Sequence, residues 1–360
     1  MRSVLFNGGF RPFFLLAALW AVLSLTIWIA LLEGGGAPPS YFAPLDWHIH
    51  EMLFGLVMAA IAGFLFTAIP NWTGRPPLSA WPLLLLALLW LAGRVAVFFA
   101  LTPAIDLAFT AALILIAGWQ IAAAGNWRHV TVVIPLGVLF AANLLMHLGQ
   151  SDLGWRLGLA AITFLVALIG GRIIPNFTRN WLKEEVESVK GLPVAALIAL
   201  VLAMALWVAK LPGAGPLLLV AAILHGLLLA NWRGLRCVAE PLLLILHIGY
   251  GWLVAGLALL GLGAPLGAAV HTLTAGCFTV MILAVMTRAT RGHTGRTLSA
   301  DRPTTGIYVL ANLAALTRVA AALFPAVAAA GYRLTALFWI AAWGLFLVSY
   351  GPYLLTKPAK

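Results

Sequence analysis

The sequence predicts an all-α membrane protein with about twelve transmembrane helices. Hydrophobic residues make up 63% of the chain and charged residues only 9%, whereas soluble domains are roughly half apolar and a quarter charged. A membrane helix needs about 20 mostly apolar residues, and stretches of that kind follow one another along the whole chain. We therefore expect a single polytopic membrane domain over residues 1–360.

Prolines and glycines divide the apolar stretches into separate spans, because both residues favour turns. Pro38-Pro39, Pro76-Pro77 and Pro212-Gly213 are three such boundaries. The predicted spans, in order, are residues 13–32, 47–69, 79–100, 103–123, 129–148, 153–175, 191–210, 213–231, 240–261, 264–287, 304–324 and 329–352. Two Ile-Pro-Asn turns, Ile69–Thr73 and Ile174–Thr178, are predicted to end helices.

Basic residues predict the direction of the spans, since Lys and Arg concentrate in cytoplasmic loops. Most of them fall on one side of the predicted membrane, in the loops that hold Arg75, Arg128, Lys183 and Arg236. Both termini are therefore expected to be cytoplasmic. The same bias explains the net charge of +11, so no nucleic-acid partner is predicted.

Short motifs recur along the chain and indicate an internal repeat. Asn126-Trp127-Arg128 recurs as Asn231-Trp232-Arg233, and His50 precedes Thr73 by 23 positions, as His271 precedes Thr294. These spacings favour three tandem four-helix units in parallel orientation, residues 1–125, 126–230 and 231–360. Sites in repeat-built membrane folds tend to lie where the repeats meet.

Histidines in the spans are the candidate functional residues. An ionisable side chain inside a membrane segment is costly and is a functional-site hypothesis by default, and neutral imidazole is the commonest metal ligand. The six candidate metal ligands are His48, His50, His147, His225, His247 and His271. Histidines that only pack and hydrogen-bond are the alternative interpretation.

Depth along the spans sorts these histidines into two groups. His50 and His271 are predicted to hold one centre near the outer face, with His48 and His147 as copper ligands. His225 and His247 are predicted to hold a second, deeper centre, and both pairs are candidate cofactor ligands. His48 and His50 do not share a helix face, so either the helix begins after His48 or the two rings serve different centres.

The few other charged residues near membrane depth have predicted roles as well. Glu51 and Glu240 are candidate proton donors, although a carboxylate at a helix start is also simply favoured by the helix dipole. Arg94 and Arg318 need partners, for which a haem propionate, a carboxylate or backbone carbonyls would serve. The two cysteines form no Cys-x-x-Cys motif, which argues against a c-type haem or a thiolate zinc site.

Several sequence blocks over essentially the whole chain resemble the NnrS family. They are Phe10-Arg11-Pro12-Phe13, Trp47-His48-Ile49-His50-Glu51-Met52, Asn71-Trp72-Thr73-Gly74-Arg75-Pro76, His247-Ile248-Gly249-Tyr250-Gly251-Trp252, and Gly292-His293-Thr294-Gly295-Arg296. The resemblance implies a bacterial inner-membrane protein that contains haem and copper and is linked to nitric oxide stress and denitrification.

The function expected from this resemblance is reduction or detoxification of nitric oxide by a haem–metal membrane protein. We expect one or two b-type haems and a copper or non-haem iron ion, nitric oxide as substrate, the lipid bilayer as surroundings, and quinol or a redox partner protein as electron donor. One alternative is a protein that binds or senses nitric oxide, haem or metal without turnover. Another alternative is a secondary transporter, because twelve spans and repeats also fit that architecture.

Overall fold

Twelve long helices make up the fold of the computed structural model, which describes residues 4–186 and 189–357. The helices are α1 (Phe10–Leu32), α2 (Pro44–Thr73), α3 (Trp81–Phe98), α4 (Pro103–Ala123), α5 (Val130–His147), α6 (Ser151–Leu182), α7 (Leu192–Val208), α8 (Ala214–Asn231), α9 (Pro241–Gly261), α10 (Leu266–His293), α11 (Arg302–Leu323) and α12 (Ala328–Leu355). Each coincides with one predicted span, so the predicted all-α membrane fold is confirmed.

Length and apolar composition qualify eleven of these helices to cross a membrane. The remaining one, α7, is also apolar but has only 17 residues, which lies at the lower limit for a spanning helix. The described chain is therefore that of a multi-pass membrane protein.

Local sequence signals fix where the helices begin and end. Pro103 and Pro241 occupy the first turn of α4 and α9, where a missing N–H costs nothing because that donor has no partner within the helix. Glu240 caps α9 by accepting a hydrogen bond from the backbone N–H of Leu242 at 3.0 Å. At the end of α2, Gly74 adopts a left-handed φ of 67°, a conformation that glycine reaches without strain.

One of the two Ile-Pro-Asn segments differs from the prediction that they end helices. Helix α2 ends at Thr73, as predicted, although Pro70 lies within its last turn. Pro175 lies inside α6, which runs on to Leu182. Proline holds φ at a helical value and forfeits one backbone hydrogen bond. One lost bond does not end a long helix, and the sequence interpretation gave it too much weight.

The helices pack as two compact units. The first comprises the described residues of 4–161, 289–297 and 346–357, and the second those of 162–288 and 298–345. In the first unit α1 packs on α2, α2 on α4, α3 on α4, and α4 on α5. In the second unit α7 packs on α8, α8 on α9, α9 on α10, and α10 on α11.

Two helices contain a π-helical stretch, and each stretch begins directly after a histidine. Glu51–Val57 follows His50 in α2, and Thr272–Phe278 follows His271 in α10. A π-bulge is rare and is frequently found at functional sites. The two stretches match the predicted correspondence between these histidines, while the division into three repeat units stays a prediction.

Each π stretch contains a glycine pressed against a tryptophan. A Cβ added to Gly55 would lie 2.6 Å from Nε1 of Trp20, and a Cβ added to Gly276 would lie 2.7 Å from the Trp252 ring. The widened turn also exposes carbonyl groups, and the Gly55 carbonyl accepts a hydrogen bond from Nε1 of Trp90 at 3.1 Å. Glycine is therefore required at both positions by close packing.

Substitution of Gly55 by alanine is expected to destabilise the protein by about 1–3 kcal/mol, the usual cost of overpacking. The new methyl group would also lie 2.9 Å from Oε2 of Glu51. Thermal unfolding in detergent measures the effect. Gly344→Ala is the matched control, because no atom lies within 4 Å of its Cβ position; equal melting temperatures for the two variants would contradict the packing argument.

Candidate metal centre

The first unit contains a buried cluster of polar side chains from four helices. His50 and Glu51 come from α2, Arg94 from α3 and Asp106 from α4, and all four are fully or almost fully buried. Asn143 and His147 come from α5 and are four residues apart, so both lie on one helix face. Burial of this many polar groups in an apolar bundle indicates a functional site.

The π stretch explains how two neighbouring residues both reach this cluster. His50 is the last residue before the stretch and Glu51 is the first residue within it. Side chains of adjacent residues in a regular helix point about 100° apart, yet both side chains here are inaccessible to solvent. Nδ1 of His50 lies 3.0 Å from Oε1 of Glu51, so the two form one contact pair.

Asp106 is the hub of the cluster. Its Oδ2 atom lies 3.2 Å from Nε2 of His50 and 2.9 Å from Nε2 of His147. The Asn143 side-chain amide donates a hydrogen bond to the same oxygen at 2.8 Å. Gly93 allows this approach, because a Cβ there would lie 3.1 Å from Cα of Asp106.

Among the described residues, one group of three side chains has ligand atoms placed to hold a metal ion. It consists of His50, Asp106 and His147, whose ligand atoms all lie within 4.8 Å of one another. Two imidazoles and one carboxylate are a donor set that suits copper and non-haem iron. The site therefore fits the metal part of the expected cofactors.

Arg94 is held between the two buried carboxylates. Its NH1 atom lies 2.8 Å from each carboxylate oxygen of Glu51, and its NH2 atom donates to Oδ1 of Asp106. A guanidinium is well suited to such carboxylate pairing. The protein thus supplies the partners that Arg94 needs, and the predicted haem propionate partner stays a prediction.

The charges of the cluster balance when it gains one positive charge. Glu51 and Asp106 contribute two negative charges and Arg94 one positive charge, which leaves one negative charge if both imidazoles are neutral. Nε2 of His50 lies 2.9 Å from Oδ1 of Asn143, so both ring nitrogens of His50 face oxygen acceptors. A proton on each nitrogen of His50, or a metal ion in place of the Nε2 proton, satisfies this arrangement.

Tyr41 connects the cluster to the surface. It lies in the segment between α1 and α2, is 39% exposed, and its hydroxyl lies 3.0 Å from Nδ1 of His147. Burial, followed by the negative charge of Asp106, raises the pKa of Tyr41 above its ordinary value, so the phenol stays protonated. When Nδ1 of His147 carries the ring proton and donates it to the Tyr41 hydroxyl oxygen, the unprotonated Nε2 faces Asp106 and can bind a metal.

The other two candidates of the predicted outer centre, His48 and His271, are not members of this metal-competent group. Helix α2 begins at Pro44, so His48 and His50 are both helical and their rings diverge. The ring of His48 stacks on Trp28, with 4.5 Å between the ring centres, and is outside the metal-competent group. His271 belongs to the second unit, where its Nδ1 donates to the Gly267 carbonyl at 2.7 Å; its predicted pairing with His50 stays a prediction.

The histidines of the predicted deeper centre each have their own partner in the second unit. Nδ1 of His225 lies 2.7 Å from the hydroxyl of Tyr250, and its Nε2 is buried with no hydrogen-bond partner among the described residues. Nε2 of His247 lies 3.2 Å from the hydroxyl of Thr178. Their joint binding of a second centre stays a prediction.

Glu240, the second candidate proton donor, has a structural role in the second unit. In addition to capping α9, it accepts a hydrogen bond from the backbone N–H of Ala300 at 2.9 Å. Two backbone donors on one carboxylate oxygen tie the start of α9 to the segment before α11. This geometry agrees with the alternative interpretation of Glu240, in which it is a carboxylate placed at the start of a helix.

Sequence reasoning missed Asp106, Asn143 and Tyr41 as members of the site. Asp106 is an acid in the first turn of an otherwise apolar helix, which is a signal of the same kind that singled out the histidines. Asn143 lies one turn before His147 in the same helix, but its side chain binds His50 and Asp106. Tyr41 gave no signal, because its loop has no periodic pattern.

The whole described chain can be compared with known families. A family model described as NnrS protein matches residues 4–357. The chain belongs to the NnrS family. No curated protein matches the sequence.

Other sequence blocks that resemble the NnrS family have structural roles in the first unit. Arg11 donates to the backbone carbonyls of Leu354 and Thr356 at 2.8 Å each, which satisfies carbonyls at the end of α12 that have no helical partner. Arg296 lies over the ring of Tyr353, with its Cζ 3.6 Å from the ring centre. The His-Ile-His-Glu block differs from these, because its His50 and Glu51 side chains belong to the candidate metal centre.

Proposed function

We propose that this NnrS family member is a bacterial inner-membrane metalloprotein, with both termini cytoplasmic, that acts on nitric oxide. The single observation that carries the proposal is the buried group of His50, Asp106 and His147, whose ligand atoms lie within 4.8 Å of one another. Copper or non-haem iron fits this donor set. Family membership adds the link to nitric oxide that the sequence resemblance implies.

The residues around the ligands would orient and insulate the ion. Glu51 and Tyr41 hydrogen-bond the Nδ1 atoms of His50 and His147, and such outer partners fix the tautomer and orientation of ligating rings. The ring of Phe42 packs on both imidazoles, with ring centres 4.9 Å from His50 and 5.2 Å from His147. An apolar wall of this kind excludes water and suits a small, weakly polar gas.

The second unit offers one residue that fits a b-type haem. The Tyr250 hydroxyl holds His225 at Nδ1. The Nε2 atom of His225 is buried and has no hydrogen-bond partner within bonding distance among the described residues. The backbone of Ala196 lies near the ring. A held imidazole with one open nitrogen suits an axial haem ligand. When bound there, ferrous haem would supply an iron that binds nitric oxide.

The proposed reaction is the reduction of two molecules of nitric oxide to one of nitrous oxide and one of water. It consumes two electrons and two protons, so atoms and charge balance. The electrons would come from quinol or a redox partner protein. The chain's own residues hold the ion, exclude water and, at the Tyr41 hydroxyl, connect the buried centre to the surface.

Metal content of the purified protein tests the metal centre. Protein from copper- and iron-replete cells is expected to contain about one such ion per polypeptide, and His147→Gln is expected to lose it. His48→Gln is the matched control, since its ring lies in the same helix as His50 but stacks on Trp28. Equal metal content in all three proteins would contradict the assignment.

Nitrous oxide production separates turnover from binding. Purified protein supplied with a reductant and nitric oxide is expected to release nitrous oxide catalytically, with His147→Gln inactive. Stoichiometric binding of nitric oxide without product would instead establish the sensing or binding function. The same ligands serve both functions, so only this measurement distinguishes them.

A secondary transporter is the other function with an observation in its favour. The buried Glu51–Arg94–Asp106 network is the kind of intramembrane charge cluster that proton-coupled transporters use. Metal-free protein that moves a solute in liposomes, and loses this activity in Glu51→Gln, would favour transport over nitric oxide chemistry.

Tyr41→Phe is expected to weaken metal binding by about 10–100-fold, as loss of an outer hydrogen-bond partner usually does. The substitution removes only the hydroxyl that lies 3.0 Å from Nδ1 of His147. Competition with a chelator of known affinity measures the change. Tyr332→Phe, a half-exposed tyrosine of the second unit, is the control, and an unchanged affinity in Tyr41→Phe would contradict the role.

A further inference from the structure

Arg318 of α11 carries a positive charge that no described carboxylate of its own unit neutralises. Its guanidinium Cζ lies 4.9 Å from the centre of the Tyr332 ring in α12. Its NH1 atom is buried and has no hydrogen-bond partner among the described residues. A charged side chain in a membrane segment costs about 2.5–3.5 kcal/mol even by insertion scales, so a counter-charge is expected.

The described acids of the second unit all lie at the opposite end of its helices. Asp301 caps the start of α11, and Glu240 lies beside it through the backbone of Ala300. Arg318 is 17 residues beyond Asp301, about 25 Å along the helix at 1.5 Å per residue. Glu184 is paired with Arg233 and Arg236, and Glu185 lies 4.0 Å from Arg179.

The described side chains that lie near Arg318 add no negative charge. The Cβ position of Gly267 in α10 lies 3.8 Å from Cβ of Ala322 in α11, which places His271, one turn from Gly267, beside Arg318, one turn from Ala322. The Nδ1 proton of His271 is donated to the Gly267 carbonyl. The hydroxyls of Thr317 and Thr335 bond each other at 3.0 Å. The first turn of α12 contains no acid, so no carboxylate there compensates the positive end of that helix dipole.

The first unit contains a contrasting arrangement around Arg94. The sequence Arg94-Val95-Ala96 recurs as Arg318-Val319-Ala320. Glu51 and Asp106 both pair with the Arg94 guanidinium. Arg318 has an aromatic ring and a histidine where Arg94 has two carboxylates. The two arginines therefore differ in their partners. Two carboxylates neutralise the charge of Arg94, whereas the Arg318 guanidinium has no carboxylate partner among the described residues of its unit.

We propose that Arg318, with Tyr332 and His271, binds an anionic oxygen group from outside the polypeptide. The guanidinium fork matches phosphate and carboxylate oxygens. Arg318 is five residues before the end of α11 at Leu323, about 7–8 Å along the helix axis, a depth that headgroups reach. Tyr332 is partly exposed, so the group enters beside its ring.

Two sources could present this chemistry: the phosphate of an anionic lipid, or the carboxylate of a haem propionate. The lipid source is independent of the proposed function, whereas the propionate source depends on haem binding. Both predict that removal of the Arg318 charge removes the ligand. The metal content at His50, Asp106 and His147 is expected to stay unchanged in either case.

Lipid titration of the purified protein tests the site. Phosphatidylglycerol is expected to raise the melting temperature of the wild-type protein and to bind by native mass spectrometry, while phosphatidylcholine has little effect. Arg318→Gln is expected to weaken phosphatidylglycerol binding at least 10-fold. Arg333→Gln, an exposed neighbour of Tyr332 in α12, is the matched control and is expected to bind as the wild type does.

Haem content measured on the same preparations separates the two sources. Loss of haem in Arg318→Gln, with no response to phosphatidylglycerol in the wild type, identifies the carboxylate source. Equal lipid binding and equal haem content in Arg318→Gln and wild type would overturn the proposal.

Two further variants keep the test decisive if Arg318→Gln fails to fold. Arg318→Lys retains the charge and is expected to retain part of the binding. Tyr332→Glu places a carboxylate next to Arg318 and is expected to remove anion binding from a protein that stays folded. Full anion binding in Tyr332→Glu would contradict the proposal.

Discussion

Arg94→Leu is expected to be among the most destabilising single substitutions in the protein, at about 3–5 kcal/mol. Removal of one partner from a buried ion network leaves uncompensated charge, and that is the usual cost. Here the loss of one guanidinium would remove the cation that pairs with both the Glu51 and the Asp106 carboxylate. Thermal or denaturant unfolding in detergent measures the change.

A surface ion pair and a double variant provide the controls for this prediction. Arg156 and Asp152 form an i,i+4 pair at 3.1 Å on the surface of α6, where such pairs contribute only about 0.3–0.5 kcal/mol, so Arg156→Leu should have little effect. Arg94→Leu combined with Glu51→Gln removes one charge of each sign and should recover much of the loss. No recovery in the double variant would show that packing, and not charge balance, makes Arg94 important.

Asp106→Asn is expected to abolish metal binding while it preserves the shape of the side chain. Asp106 provides the only carboxylate in the metal-competent group found among the described residues, and the amide places a neutral atom where the anionic ligand was. Loss of an outer partner alone costs about 10–100-fold in affinity, so loss of a ligand is expected to exceed that range. Chelator competition and metal analysis measure it.

Asp152→Asn is the matched control for this substitution, since Asp152 is a half-exposed acid of the same unit. It is expected to bind metal as the wild type does. Wild-type affinity in Asp106→Asn would mean that the carboxylate is not a ligand, and that the two histidines serve another purpose.

The helices could be predicted from the sequence because membrane spans depend on length and apolarity alone. All twelve predicted spans coincide with helices of the structure, and even the marginal α7 was placed correctly. The error at Ile174–Thr178 came from reading proline as a stop signal in the interior of α6. Proline weakens a long helix at one hydrogen bond, and the surrounding apolar sequence decides whether it continues.

The candidate site could be predicted only in part, because it depends on how helices pack. The sequence singled out His50 and His147 as ligands of an outer centre, and the structure brings both to Asp106. The sequence did not identify Asp106, because no pattern along the chain shows that α4 approaches α3 closely at Gly93. The π stretch after His50 likewise has no periodic signal.

The metal centre is tested most directly by an experimental density map of the purified protein, with anomalous scattering recorded at the copper and iron edges. We expect an anomalous peak within bonding distance of His50 Nε2, Asp106 Oδ2 and His147 Nε2. Protein from metal-replete cells that shows no peak there, with both imidazoles hydrogen-bonded directly to the Asp106 carboxylate, would contradict this expectation.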